Sequence, residues 1–181
     1  MKKLYSDFRN FFYQRNILNK LESLTAARVL TNLRDAKTIG IIYDSTDSAN
    51  DITISKFAEQ LRKDGKTVEI LGFVNDKKIE QKEGIEIFTK KNLNWTLIPT
   101  AENANSFAQK KFDLMFAAFI TENLPLEYVV RISQAKWRVG CYSPAKTDFY
   151  EMMINRSGKT DLNYFLEQAV SFLNQIKYDA K

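Results

Sequence analysis

Between residues 38 and 142 the chain alternates short apolar runs with stretches of helical periodicity, and that alternation restricts the fold more than any other feature. The first run, Thr38-Ile39-Gly40-Ile41-Ile42-Tyr43-Asp44, carries no charge until its last residue. A strand with one wet face would alternate polar and apolar residues; an unbroken run reads as a strand buried on both faces, as in a parallel sheet. Ser45-Thr46-Asp47-Ser48 follows, all residues of turns and helix caps. Ile54, Phe57, Ala58 and Leu61 then recur at three- and four-residue spacing, and Asp64-Gly65 supplies a helix stop. Thr67 to Val74 is the second strand. The three segments make a strand–helix–strand unit whose crossover is expected to be right-handed.

The pattern continues after a polar segment at 75–84. Ile85 to Phe88 predicts a short third strand, and Thr100 is expected to cap a helix through Ala104, Phe107 and Ala108. Asp113 to Ile120 is a fourth, strongly apolar strand. Asn123-Leu124-Pro125 opens a helix carrying Leu126, Val129, Val130 and Ile132, and Arg138 to Tyr142 is the fifth strand. Only six residues, Ser143 to Asp148, precede Phe149–Ile154. They are too few for a crossover helix, so a sixth strand is expected to join by a tight turn, antiparallel or at an edge. Thr160 is expected to cap a last helix, whose stripe of Leu162, Phe165, Leu166, Ala169, Phe172, Leu173 and Ile176 packs on the body. Together these elements predict an α/β fold: an open, mostly parallel, Rossmann-like sheet of 5–6 strands with helices on both faces. By analogy with doubly wound sheets the expected order is 3-2-1-4-5, with a switch point between the first and fourth strands.

Residues 1–36 read as a basic amphipathic helical arm and 37–181 as a single domain, since 181 residues leave little room for two. On a helical wheel Leu4, Phe8, Phe11, Phe12, Leu18, Leu21 and Leu24 fall toward one side as an apolar arc, interrupted by Arg15 and Glu22. Lys2, Arg9 and Lys20 gather on another side. Apolar burial outweighs surface charge in magnitude, so the arc is expected to pack on the body or on a second copy.

The formal charge of +5 is concentrated in this arm. Residues 1–37 hold eight basic side chains against three acidic, and the rest of the chain holds nineteen of each. One basic patch, rather than a basic surface, is thus offered to an anionic partner. The expectation is a non-catalytic binding protein whose arm docks through Lys2, Lys3, Arg9, Arg15, Lys20 and Arg28. RNA or the ribosome comes first as partner, an anionic membrane surface second. Pairing of two copies through the arm's apolar face is a further partner reading.

Zero histidines and a single cysteine, Cys141, exclude Ser-His-Asp and Cys-His pairs, the usual Cys/His zinc sites and an internal disulfide. No secretory signal or membrane-spanning stretch is evident, so a cytoplasmic location is expected. In a parallel sheet, ligands sit beyond the carboxyl ends of the strands. The residues placed there are Asp44, Ser45, Thr46, Asp47 and Ser48 after the first strand, Thr121, Glu122 and Asn123 after the fourth, and Tyr142 and Ser143 after the fifth. They support an alternative: an enzyme, or a degenerate one, binding a phosphate-bearing small molecule or sugar nucleotide at the Asp44–Ser48 loop, with Asp44 and Asp47 on Mg²⁺. Against it, Asp47 or Ser48 also reads as a helix cap and Asp44 as a strand-end residue bonded to its loop. The first turn lacks the glycines that let a backbone approach a pyrophosphate, and no cofactor is expected. Trp95, between Asn94 and Thr96 in an irregular loop, is the better of the two tryptophans for stacking on a base or sugar.

Several stretches in order carry a resemblance. They are Ile39–Asp44 with its Asp44-Ser45-Thr46-Asp47 loop, Lys90-Lys91-Asn92-Leu93-Asn94-Trp95, Phe112–Ile120, Asn123-Leu124-Pro125-Leu126, and Lys136 to Tyr142 with Ser143. The chain resembles a family of short bacterial proteins of unknown function with an N-terminal helical extension and a Rossmann-like body. That resemblance implies the fold and brings no catalytic residues. Residues 112–143 alone are similar to a segment in the acceptor half of lipopolysaccharide sugar transferases, whose nucleotide-sugar half has no counterpart here.

Overall fold

The computed structural model describes residues 2–22, 26–76, 82–159 and 161–177, with the side chains of Lys2 and Lys3 outside the description. Strands β1 (Thr38–Asp44), β2 (Thr67–Val74), β3 (Glu86–Thr89), β4 (Leu114–Ala118), β5 (Trp137–Cys141) and β6 (Met152–Ile154) form a six-stranded sheet in the order β3-β2-β1-β4-β5-β6. Every neighbouring pair is parallel. The helices are α1 (Lys2–Glu22), α2 (Ser48–Lys63), α3 (Glu102–Gln109), α4 (Leu124–Arg131) and α5 (Leu162–Gln175).

The unbroken apolar runs serve two cores, because the pleat turns successive side chains to opposite faces. Ile39, Ile41 and Tyr43 of β1 join Ile54, Phe116 and Phe165 in a layer with α2 and α5. Ile42 joins Leu71, Phe107, Met115 and Leu126 in a layer with α1, α3 and α4. Close packing dictates two glycines. A Cβ on Gly40 would lie 2.7 Å from the Phe112 ring, and one on Gly140 would lie 2.3 Å from the ring of Tyr150.

Local signals set most boundaries. The Asp47 carboxylate caps α2 by accepting from the Ala49 amide at 2.9 Å. Gly65, at φ 78°, takes the left-handed conformation just past its end. Asn123 caps α4, with Pro125 in the first turn. Three expectations are corrected. Thr100 does not cap α3; its hydroxyl donates to the Asn92 carbonyl at 3.0 Å, and α3 starts from Ala101 without a side-chain cap. Thr160 lies outside the described residues, and Asp161 caps α5 through the Asn163 amide. The sixth strand is at the edge, but parallel. It starts at Met152 rather than at Phe149, so residues 142–151, with a 3₁₀ turn at Pro144–Lys146, are long enough to carry the chain back.

The arm departs most from expectation. Its helix packs on α4 through Tyr13 and Ile17, both buried, with Leu21 partly covered. The Tyr13 hydroxyl donates to the Leu124 carbonyl at 2.7 Å, and Arg131 donates to the Gln14 side chain at 3.1 Å. Of the arc expected to pack, Leu4, Phe8, Phe11 and Leu18 are exposed, Phe12 and Leu21 are half-buried, and Leu24 lies outside the described residues. Apolar periodicity finds a stripe, but α1 has two, and the stripe of Tyr13 and Ile17 fits the groove beside α4.

Candidate functional site

At the carboxyl ends of β1, β4 and β5 lies a crevice of two adjoining lobes that share Phe119, Ile120 and Thr121. The lobe between β1 and β4, about 340 Å³, is bordered by Asp44, Thr46, Asp47 and Asn50. The lobe beyond β4 and β5, about 420 Å³, is bordered by Glu122, Cys141, Tyr142, Ser143, Lys146 and Arg156. The strand order places the first lobe where connections leave in opposite directions, since β2 lies on one side of β1 and β4 on the other.

Most of the polar groups around it are engaged within the protein; Thr121 is exposed. Asp44 accepts the Thr46 amide at 2.9 Å through Oδ1 and the Asn123 side-chain amide at 3.0 Å through Oδ2. Its carbonyl accepts from Asn50 at 2.9 Å. Asp47 is the α2 cap, Ser48 is the exposed first residue of that helix, and Thr46 accepts the Asn75 amide through its hydroxyl. Ser45 is buried and belongs to a separate polar knot. Its hydroxyl donates to Asp51 at 2.6 Å and accepts from Lys82 at 2.7 Å, and the Tyr43 hydroxyl donates to the same Asp51 oxygen at 2.7 Å. Burial pushes the Asp51 carboxyl upward, but hydrogen bonds from Lys82, Ser45 and Tyr43 outweigh it and hold the group below its ordinary value. Burial likewise drives the Tyr43 phenol above its usual range.

In the second lobe Lys146 pairs with Glu127, whose carboxylate is buried and also accepts the Asn123 amide at 3.2 Å. Arg156 donates to the Ile120 carbonyl at 3.3 Å, tying the segment after β6 to the end of β4. Burial raises the Cys141 thiol to about 11, with Arg156 pulling the other way, so the sulfur is a thiol at neutral pH and a poor nucleophile. Among the described residues no group of three Asp, Glu or Cys side chains could hold a metal ion. Asp44 and Asp47 both border the first lobe, each with at least one oxygen already bonded.

On the arm the aromatic side chains of one side are left open to solvent. Trp95 is 52% exposed, its ring centroid 6.1 Å from Phe8 with planes 28° apart and 5.5 Å from Phe12. Tyr5 and Phe11 are exposed on the same helix, and Phe11 packs edge-on against Phe12. The Trp95 loop also carries Lys90 and Lys91, both exposed on a 3₁₀ turn capped by Thr89. Arg9 is half-buried and Arg15 and Lys20 are exposed; the Lys2 and Lys3 side chains lie outside the described residues. Arg28 is apart from these. Its guanidinium donates to the Ser133 carbonyl at 3.0 Å and to that of Ala135, and pairs with Glu151 at 3.5 Å. It thus pins the arm's exit to the body.

Sequence reasoning placed the strand-end residues and Trp95, and missed Asp51, Lys82, Lys146 and Arg156. Asp51 sits in the first turn of α2, where a carboxylate is ordinary. Lys82 meets Ser45 across thirty-seven residues with no local sign.

The family model of the family of unknown function DUF6913 matches residues 9–176. No curated protein matches the chain, and the likeness of residues 112–143 to sugar transferases gains no support.

Proposed function

The chain belongs to that family, and we propose that it is a non-catalytic binding protein whose basic N-terminal helix docks on single-stranded RNA, free or in the ribosome. The observation that carries this reading is Trp95, half exposed, lying on Phe8 of the arm, in a loop with two exposed lysines. Aromatic faces beside cations suit a single strand: each base has a π-face to stack, worth about 1–3 kcal/mol, and the cations follow the phosphates. Arg9 adjoins Phe8 in the chain and Lys90 and Lys91 share the Trp95 loop, and the balanced charge of the remaining chain keeps the attraction local.

Docking on an anionic membrane would use the same charges with the aliphatic and phenyl side chains inserted, and the two outcomes separate in one titration. Oligouridine should quench tryptophan fluorescence, and binding should weaken steeply with salt, by roughly 0.7 in log affinity per log salt for each phosphate contact. Trp95→Ala should weaken binding about tenfold, within the stacking range. RNA that is not retained at low salt would overturn the reading, as would quenching only by anionic vesicles that persists in high salt.

The alternative, a phosphate-bearing ligand in the crevice, has geometric support only in the position of the lobes. It predicts that nucleotides or sugar nucleotides with Mg²⁺ raise the melting temperature and that Asp44→Asn removes the shift.

A further inference from the structure

The outward stripe of α1 has a spacing of its own. Leu4, Phe8, Phe11, Arg15, Leu18 and Glu22 follow one another at intervals of four, three, four, three and four. That is the seam of a coiled coil, in which a and d positions recur every 3.5 residues on average. Leu4 is 75% exposed, Phe8 55%, Phe11 60% and Leu18 56%. The opposite stripe, Tyr13 and Ile17, is already buried against the body. A helix apolar on two sides belongs in an interior, and this one has a single side covered. We propose that the uncovered seam is closed by α1 of a second copy, the two helices lying antiparallel about a two-fold axis.

The two charged members of the seam select the partner and its direction. In a parallel pair Arg15 would face Arg15 and Glu22 would face Glu22, like charges at two of the six layers. In the antiparallel register that overlaps the whole seam, Leu4 faces Glu22, Phe8 faces Leu18 and Phe11 faces Arg15. Each layer then joins an a position to a d position. Arg15 comes against an aromatic face, which attracts a guanidinium. Glu22 comes beside the first turn of the facing helix, where free amides favour a carboxylate. Among the described residues neither Arg15 nor Glu22 has an ion-pair partner within the chain. The seam is self-complementary, as a two-fold interface requires, and extends for roughly 27 Å at 1.5 Å per residue. Tyr5, Phe12 and Trp95 lie to one side of it, with Phe8 at the boundary. The pairing goes beyond the RNA reading and is tested without RNA.

Sedimentation equilibrium of the full chain between 1 and 100 µM reads the association directly. A dimer is expected in that range. Phe11→Glu should weaken it at least a hundredfold while leaving the circular dichroism of the folded chain close to wild type, because Phe11 is exposed in the single chain; the melting temperature falls only by the stabilisation that pairing itself supplies. Direction is read by disulfide trapping in a Cys141→Ser background. A mixture of Phe8→Cys and Leu18→Cys chains should cross-link to each other, and Leu18→Cys alone should not. A monomer at 100 µM, a dimer indifferent to Phe11→Glu, or efficient cross-linking of Leu18→Cys to itself would overturn the proposal. None of these outcomes bears on RNA binding, which is read by Trp95 fluorescence.

Discussion

The crevice at the carboxyl ends of the strands and the outer side of the N-terminal helix are both rich in residues that bind things, yet most of the polar side chains in the crevice are bonded within the protein, with Thr121, Glu122 and Tyr142 exposed at its rim, while the helix presents its aromatic side chains openly. In the crevice, Asp44, Asp47, Asn123, Lys146 and Arg156 hold loops together through bonds to one another and to the backbone. On the helix, Tyr5, Phe8, Phe11 and Arg15, with Trp95 beside them, are exposed. The residue types that suggest a site are thus a weaker guide than whether their valences are filled. A ligand entering the crevice would compete with bonds the fold uses, whereas a ligand on the helix covers surface that the fold leaves open.

Substitutions should therefore cost stability in the crevice and association on the helix. The largest effect is expected from Lys146→Met, which leaves the buried Glu127 carboxylate without its cation. Breaking a buried pair from one side typically costs about 3–5 kcal/mol, and urea unfolding should show it while RNA affinity is unchanged. Gly140→Ala comes next. It drives a methyl into the Tyr150 ring, and overpacking of this kind costs about 1–3 kcal/mol; a change in the urea midpoint is the readout. Trp95→Ala should reverse the pattern, with about 1.4 kcal/mol of RNA affinity lost for a tenfold effect and a melting temperature within a degree or two of wild type.

The smallest effect concerns acid. Burial tends to raise the Asp113 carboxyl, but bonds from Lys136, the Thr38 and Lys37 amides and the Thr38 hydroxyl overcome that and hold it at about 2. A depressed carboxylate contributes stability that is complete above its unfolded pKa of about 4 and is lost as pH falls toward 2. Asp113→Asn should flatten the acid limb of stability in that window and leave RNA binding at neutral pH untouched.

The body was legible in the sequence because its signals are local. Unbroken runs such as Thr38–Asp44 and Thr67–Val74 match their strands to the residue, and Asp47, Asn123 and Gly65 end or begin helices by their own side-chain chemistry or its absence. The strand order of β1 to β5 is the one expected by analogy with doubly wound sheets. β6 lies at an edge, one of the two outcomes the short connection predicts, and it is parallel because pairing starts at Met152 rather than at Phe149. The side of the arm that meets the body is hidden for a different reason. A helical wheel ranks faces by apolar content, and Leu4, Phe8, Phe11 and Leu18 outweigh Tyr13 and Ile17, yet the groove beside α4 accepts the lesser stripe because Tyr13 also reaches the Leu124 carbonyl. The polar knot at Ser45 was hidden because Lys82 and Asp51 come from separate elements that only the sheet brings together.

The claim that binding chemistry resides on the helix and its Trp95 loop, and not in the crevice, is tested most directly by measuring oligouridine affinity at low salt for three proteins side by side. They are the wild type, a Lys90→Ala, Lys91→Ala, Trp95→Ala variant, and an Asp44→Asn, Tyr142→Ala variant. Loss of affinity of tenfold or more in the first variant, with the second equal to wild type, is the predicted result. Equal affinity in the first variant with loss in the second would contradict the account and move the site to the crevice.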